Sequence, residues 1–388
     1  MNELKVANPG KAFSVLKRLG AQPGNDAATG FVLPSHENLS TKESAEKIAT
    51  HFAAISQSFE PLNLNLLPEH VRRQLETNVK PPVISEHETY EAMRSAKKPR
   101  SGVEIDMPKV INSEFAPELA YPVCKLINNI FQTGEWPNHW KVENVIPIPK
   151  VATPETEDDL CPISLTPFLS KVAEQFIVKW ILEYIGEKLD FRQYGGQKGN
   201  SISHYLVEFV NFILSCQDSS EQVAVLACMV AFEKAFMRQD HHLLMTKLCN
   251  LGVPGWLLKL VYAFLSDRKM FVIYNGEKSE LRSMPGGGPQ GTLLALILFL
   301  VLVDDIGFED QSNNAGILAT SKRNIKIFNE LHLKYVDDLT LVEAINMQET
   351  LKSVPLDSRQ LPDNYHSRTG HSLPLKDSRV FFSTYEDT

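Results

Sequence analysis

The stretch LHLKYVDDLTLV, residues 331–342, holds two adjacent aspartates between two apolar flanks. The aliphatic and aromatic residues on both sides predict two short strands, with Asp337 and Asp338 at the tight turn that joins them. Neighbouring carboxylates crowd negative charge, which is costly unless a cation offsets it. Mg²⁺ and Mn²⁺ prefer oxygen ligands of this kind. The stretch therefore predicts a β-hairpin with a candidate divalent-metal site at its tip, and the alternative is an ordinary solvated turn.

Four further motifs precede this hairpin in the chain. They are VIPIPK at residues 145–150, PISLTPF at 162–168, VAFEKAF at 230–236 and PGGGPQGTLL at 285–294. In this order and spacing, and together with YVDD at 335–338, they resemble the reverse transcriptase of non-LTR retrotransposons across residues 90–345. The resemblance implies RNA-directed DNA polymerase activity, with an RNA template, a DNA primer and deoxynucleotides as partners. It also implies two bound Mg²⁺ (or Mn²⁺) ions as the cofactor.

The resemblance assigns roles to the residues of the hairpin. It implies that Asp337 is a catalytic metal ligand shared by both ions, and that Asp338 is a supporting carboxylate beside it. Tyr335 and Val336 would line the primer terminus. These four residues are the core of the expected active site.

The nucleotide-binding residues implied by the resemblance lie in the earlier motifs. Phe236 would stack under the sugar and exclude a 2′-hydroxyl, and Lys150 would bind the triphosphate. Gln290 and Gly291 would contact the incoming nucleotide and the template. From the residues alone, Phe236 could equally be a core side chain that anchors the next helix. The glycine run permits close backbone approach to a ligand, and because Thr292 follows Gly291 it is not a Walker loop; the alternative is a flexible turn.

Two positions depart from the family pattern. Ala231 stands where the family has an aspartate that holds the metal ions, and a methyl group cannot ligate a metal. Cys161 stands where relatives commonly have an arginine, and a thiol cannot make a bidentate phosphate contact. Neither Glu233 nor Asp240 is expected to replace the missing carboxylate. We therefore expect weakened metal binding and a chain that is inactive or nearly so.

The strand and helix patterns predict an α+β fold, with the fingers and palm of a right-hand polymerase and no thumb. Residues 1–84 are predicted to be a linker-like extension. Residues 85–345 are predicted to form the fingers and palm. Residues 346–388 are predicted to be an irregular, truncated C-terminal segment. The family block with a catalytic lysine is not visible in the sequence.

Composition limits the possible partners and compartments. The net charge of −8 argues against strong non-specific nucleic-acid binding, which depends on neutralising phosphates. Two basic clusters could still line a groove, although each could equally be a solvated face: one at residues 94–100, the other at 322–334. Five scattered cysteines favour free thiols in a reducing compartment. The N-terminus lacks a secretory pattern, and the longest apolar run, 293–303, is too short to span a membrane. We expect an intracellular protein, nuclear or cytoplasmic, without membrane association.

Two other hypotheses fit the same sequence. The chain could be a non-catalytic nucleic-acid-binding or scaffold protein built on the polymerase fold, in which case it would bind RNA in a salt-dependent way without extending a primer. It could also fail to fold without a thumb, which a cooperative melting transition would exclude.

Overall fold

The computed structural model describes residues 31–95, 115–197, 199–218, 223–232, 234–306, 330–346 and 375–383. The fold combines helices with two β-sheets, so the predicted α+β class is confirmed at that level. No helix in these ranges has both the length and the apolar content needed to cross a bilayer.

The α-helices of the described residues lie mostly before and between the strands. In chain order they are α1 Thr41–Ser56, α2 Glu69–Glu76, α3 Glu86–Ser95, α4 Ala116–Thr133, α5 Phe168–Ile185, α6 Ile202–Gln217, α7 His241–Asn250, α8 Gly255–Leu265 and α9 Leu293–Leu302. Most of them pack into one large apolar core, in which α8 and α9 are almost completely buried. Helix α4 ends at Gly134, whose φ of 71° gives the left-handed cap typical of glycine.

The first sheet has the order β2-β1-β4-β5, with β6 also paired to β4. Its strands are β1 Val142–Pro149, β2 Leu160–Leu165, β4 Lys269–Tyr274, β5 Glu277–Lys278 and β6 Arg282–Ser283. Strands β1 and β2 form an antiparallel hairpin, whereas β1 and β4 run parallel. Asn275 and Gly276 both have positive φ at the turn between β4 and β5, as a type I′ turn requires.

The second sheet is antiparallel and has the order β7-β8-β3-β9. Its strands are β3 Val223–Phe232, β7 Glu330–Tyr335, β8 Asp338–Asn346 and β9 Leu375–Ser383. Strand β3 lies between β8 and β9, so it is a central strand of this sheet. The register places Ala231 opposite Asp338 of β8 on one side and opposite Asp377 of β9 on the other. Helix α6 covers one face of this sheet.

The N-terminal region is part of the fold, so the expectation of a linker-like extension over residues 1–84 is wrong for the described residues 31–84. Helix α1 is capped by Ser40 in a capping box with Glu43. Its apolar face, including Ile48 and Phe52, is buried against the first sheet. Burial of this apolar face depends on a sheet whose strands begin about a hundred residues later in the chain.

The C-terminal region also differs from expectation. Residues 346–388 were predicted to be irregular, yet β9 occupies Leu375–Ser383 and pairs with β3 from Val225 to Phe232. The prediction was wrong because the sequence of β9 shows little alternation of apolar and polar residues. In addition, β9 makes its hydrogen bonds to the second edge of β3, a strand that is distant in sequence. Residues 347–374 and 384–388 lie outside the described part of the chain.

Candidate active site

The predicted hairpin is present, and its turn is tight. Tyr335 pairs directly with Asp338, so Val336 and Asp337 alone form the connection between β7 and β8. Val336 has a φ of 57°, in the left-handed region that a β-branched side chain rarely adopts. Asp337 therefore projects from a strained turn, and Asp338 opens β8. Tyr335 packs edge-on against Tyr205 of α6, with ring centroids 6.4 Å apart.

The two carboxylates resist ionisation in this setting. Burial raises the pKa of Asp337 above its ordinary value. Burial also raises the pKa of Asp338, and the neighbouring charge of Asp337 raises it further. In a hairpin without an opposing cation, both effects disfavour the doubly charged state. A cation bound at the tip would oppose both effects.

The position of Ala231 decides how far a metal site can be completed. Its backbone lies directly across from Asp338, and residues paired in this way carry Cβ atoms about 4.5–5.5 Å apart. An aspartate there would bring a third carboxylate to the hairpin, whereas alanine contributes a methyl group. Among the described side chains, no group of three or more histidine, cysteine, aspartate or glutamate residues could hold a metal. The described residues thus do not fit the two-ion arrangement that the resemblance implies.

Asp240 and Glu233 are the two acidic residues that would have to replace the missing carboxylate. Asp240 is the N-cap of α7, and its Oδ1 accepts hydrogen bonds from the amides of His242 and Leu243 at 2.8 and 3.1 Å. Its carboxylate therefore caps the N-terminus of α7. Glu233 lies outside the described residues.

The β1–β2 hairpin brings two predicted residues towards the aspartates. The pKa of the Cys161 thiol is raised, mainly by burial; the charge of Lys150 opposes this effect and the charge of Asp337 adds to it. These three residues are therefore close enough to interact electrostatically. Lys150 Nζ donates to the carbonyl of Asp158 at 2.9 Å. Cys161 Sγ accepts from Gln290 Nε2 at 3.3 Å, so a neutral thiol occupies a place next to the glycine loop.

The glycine loop, residues 285–291, is anchored by hydrogen bonds. Gly287 N donates to Gln239 O and Gly288 N to Phe236 O, each at 2.8 Å. Buried His241 donates from Nε2 to the carbonyl of Gly287 at 2.7 Å. The close packing explains the glycines, because a Cβ at Gly287 would lie 2.8 Å from the carbonyl oxygen of Met237.

Two further contacts tie the glycine loop to neighbouring elements. Ser164 N of β2 donates to Gln290 O at 2.8 Å, which joins the loop to the β1–β2 hairpin. Ser56 at the end of α1 donates from Oγ to the carbonyl of Gly286 at 2.6 Å. Gln290 and Gly291 are thus held beside Cys161, in one continuous surface with the hairpin of β1 and β2.

Phe236 lies between the glycine loop and the aspartate hairpin. Its ring stacks on Phe299 of α9, with centroids 5.1 Å apart and an angle of 28° between the planes. It also packs in a small apolar cluster that includes Val336. The side chain is only half-buried. The structure accordingly agrees with a core role for one face of the ring and leaves part of the side chain exposed for another contact.

Sequence reasoning missed the segment that supports the hairpin. Backbone bonds join Tyr194 N to Lys334 O at 2.8 Å and Lys334 N to Arg192 O at 2.9 Å. Asp190 Oδ2 lies 2.9 Å from both His332 Nε2 and Lys334 Nζ, and these partners hold the pKa of Asp190 far below its usual range despite burial. No local pattern could have indicated these contacts, because they join residues about 140 positions apart.

Comparison with known proteins identifies the family. A family model described as reverse transcriptase (RNA-dependent DNA polymerase) matches residues 148–356, which is more than half of the chain. The RNA-directed DNA polymerase from mobile element jockey of Drosophila melanogaster is 26% identical over 308 residues, covering 76% of this chain and 32% of the relative. The probable RNA-directed DNA polymerase from transposon BS of the same species is 27% identical over 224 residues, covering 57% and 23%.

A third relative, the probable RNA-directed DNA polymerase from transposon X-element of Drosophila melanogaster, is 28% identical over 193 residues, covering 49% of this chain and 21% of the relative. The chain therefore spans a third or less of the length of these relatives. The motifs, the hairpin geometry and the family match agree with one another: the resemblance to non-LTR retrotransposon enzymes is confirmed, and the chain belongs to the reverse transcriptase family.

Proposed function

We propose that this chain is the fingers and palm of a retrotransposon polymerase that catalyses RNA-templated DNA synthesis poorly or not at all as written. The reaction is the one that the family resemblance implies, which uses an RNA template, a DNA primer and deoxynucleotides. The observation that supports the loss of activity is that Ala231 pairs directly with Asp338. The aspartate of the family pattern would place a carboxylate beside the hairpin acids at this position, and alanine has none. When bound, divalent ions would activate the primer hydroxyl and stabilise the leaving group.

The remaining parts of the site support a polymerase ancestry. Phe236 packs with Val336 of the hairpin, and Cys161, which accepts a hydrogen bond from Gln290 of the glycine loop, interacts electrostatically with both Lys150 and Asp337. In this arrangement, the glycine loop offers backbone to a base pair, and Phe236 limits the space under the sugar. Cys161 weakens triphosphate binding because its thiol is neutral. We infer that the chain retains the backbone arrangement of the polymerase site but lacks two of its charged side chains, because Ala231 replaces the aspartate and Cys161 the arginine of the family pattern.

The first prediction concerns restoration of the lost carboxylate. Primer extension on an RNA template should be undetectable for the chain as written and detectable for Ala231→Asp, because electrostatic stabilisation of this kind is worth about 10²–10³-fold in rate. Ala227→Asp is the matched control and should not extend, because Ala227 lies on the same face of the strand four residues earlier and is buried.

Each outcome of this experiment separates the hypotheses. Extension by the chain as written would overturn the loss of activity, and Asp377→Asn would then test whether the acid at the register position on the other side of Ala231 supplies the function. If Ala231→Asp also fails to extend the primer, Cys161 becomes the candidate cause. Cys161→Arg in the same background tests this. Salt-dependent RNA binding without extension by any variant would favour the alternative, a non-catalytic nucleic-acid-binding protein.

A further inference from the structure

The turn that carries Asp337 is held by a side chain far away in sequence. Gln193 is 3% exposed, and its side-chain amide makes two hydrogen bonds to the backbone of Val336. Its Oε1 accepts from Val336 N at 2.9 Å, and its Nε2 donates to Val336 O at 3.4 Å. One amide thus binds the two peptide groups that flank the Cα of Val336, and these are the groups whose rotation sets the φ and ψ of that residue.

Val336 needs such support because of its backbone conformation. A φ of 57° is unfavourable for a β-branched side chain, and residues of this kind persist in such conformations only where the surroundings fix them. The Gln193 amide supplies a donor and an acceptor together. A carboxylate would offer only acceptors and would add negative charge beside Asp337, and an aliphatic side chain would offer neither.

Gln193 is itself held in place. Its Oε1 also accepts from Gly195 N at 3.0 Å, and the flanking residues Arg192 and Tyr194 pair with Lys334 through the backbone. Gly195 lies against the same turn so closely that a Cβ there would be 2.6 Å from Val336 N. The segment at 192–195 therefore forms a fixed support for the hairpin tip.

We propose that Gln193 is a positioning residue for the polymerase site: by holding Val336 in its left-handed conformation, it fixes the direction in which the next residue, Asp337, presents its carboxylate. The relevance to DNA synthesis rests on the proposed function. The mechanical part, in which Gln193 fixes the turn, stands on the contacts alone and can be tested without any activity.

The first test uses hydrogen exchange in the chain as written, followed by mass spectrometry of peptides that cover the hairpin. Gln193→Ala should speed exchange at the turn by roughly fivefold, because the Val336 amide loses its hydrogen-bond acceptor. Gln197→Ala is the matched control: Gln197 lies two residues beyond this segment, and among the described residues its Nε2 has no hydrogen-bond partner. Equal exchange in the two variants would overturn the proposal.

A rescue experiment separates positioning from general loss of stability. Glycine adopts positive φ without strain, so Val336→Gly should make the turn depend less on Gln193. The effect of Gln193→Ala on exchange at the hairpin should therefore be smaller in the Val336→Gly background. If Gln193→Ala merely destabilised the whole fold, Val336→Gly would leave its effect on exchange unchanged, and the proposal would be wrong.

The second test is made in the Ala231→Asp background. There Gln193→Ala should lower kcat by about 10- to 100-fold, as misplacement of a reacting group does, with KM for the deoxynucleotide changed less than about threefold. Gln197→Ala should leave both constants unchanged. Loss confined to KM would contradict the assigned role. If Ala231→Asp shows no extension, the proposed function fails in that arm, while the exchange and rescue results still decide the role of Gln193.

Discussion

At the residue scale, the two hairpin aspartates are a source of instability as well as a candidate site. Burial raises the pKa of both, which means that the folded state disfavours their ionised forms relative to the unfolded chain. At pH values below the ordinary aspartate pKa of about 4, both aspartates are protonated in the folded and in the unfolded chain, so this cost is absent. As the pH rises from there through the raised values, the folded state loses stability.

The corresponding prediction is that Asp337→Asn is more stable than the parent at pH 7, by about 1–3 °C in Tm. The gain should shrink as the pH is lowered towards 4, because the parent then becomes protonated at this position. Asp267→Asn is a suitable control, since Asp267 is exposed and asparagine also tolerates its positive φ. A gain that stays constant with pH would show that the charge of Asp337 is not its cause.

At the element scale, the glycine loop depends on close backbone packing. Gly287→Ala should lower the free energy of unfolding by about 1–3 kcal/mol, because alanine would meet both an unfavourable φ of 81° and the carbonyl of Met237. Gly276→Ala separates the two causes, since Gly276 has a φ of 88° with nothing within 4 Å of the added Cβ.

Urea unfolding of both variants measures the difference, and Gly287→Ala should be the more destabilised of the two. Equal losses would mean that the backbone conformation alone matters and that the loop can move away from Met237. The result bears on the site, because the same loop holds Gln290 beside Cys161.

The same scale explains what could be predicted from the sequence. Helix α4, strand β3 and the hairpin of β7 and β8 were predictable because each has a long local pattern and a clear turn or cap. Ala231 and Cys161 could be recognised only against a family pattern. Gln193 could not be recognised at all, because its contact with Val336 spans 143 positions and depends on two elements meeting in space. Strand β9 was missed for the same reason.

At the scale of the whole molecule, a buried ion pair joins the helical core to the first sheet. Arg268, which precedes β4, donates from Nε to Glu143 Oε1 at 2.7 Å, and Ser164 of β2 donates to Glu143 Oε2 at 2.8 Å. Arg268 is 1% exposed and also donates to the carbonyl of Phe264 at the end of α8. The pair therefore connects three strands with a helix.

Glu143→Gln should accordingly lower the free energy of unfolding by about 3–5 kcal/mol, because it removes the ion-pair partner of the buried Arg268 charge. Glu69→Gln removes a comparable ion pair with Arg73 in which both side chains are more than half exposed, and it should cost less than about 1 kcal/mol. Thermal or chemical unfolding of the two variants gives the comparison, and similar losses would contradict the structural role of the Glu143 pair.

The contact between Ser56 of α1 and Gly286 of the glycine loop has a practical consequence for dissecting the protein. The family match begins at residue 148, yet the helix that closes one side of the loop ends at Ser56. A shortened chain trimmed to the matched region would expose the apolar surface that Ile48 and Phe52 cover, and it would release the loop from its N-terminal anchor. The region that the family model matches is thus shorter than the polypeptide expected to fold as one unit, and expression trials should use the longer one.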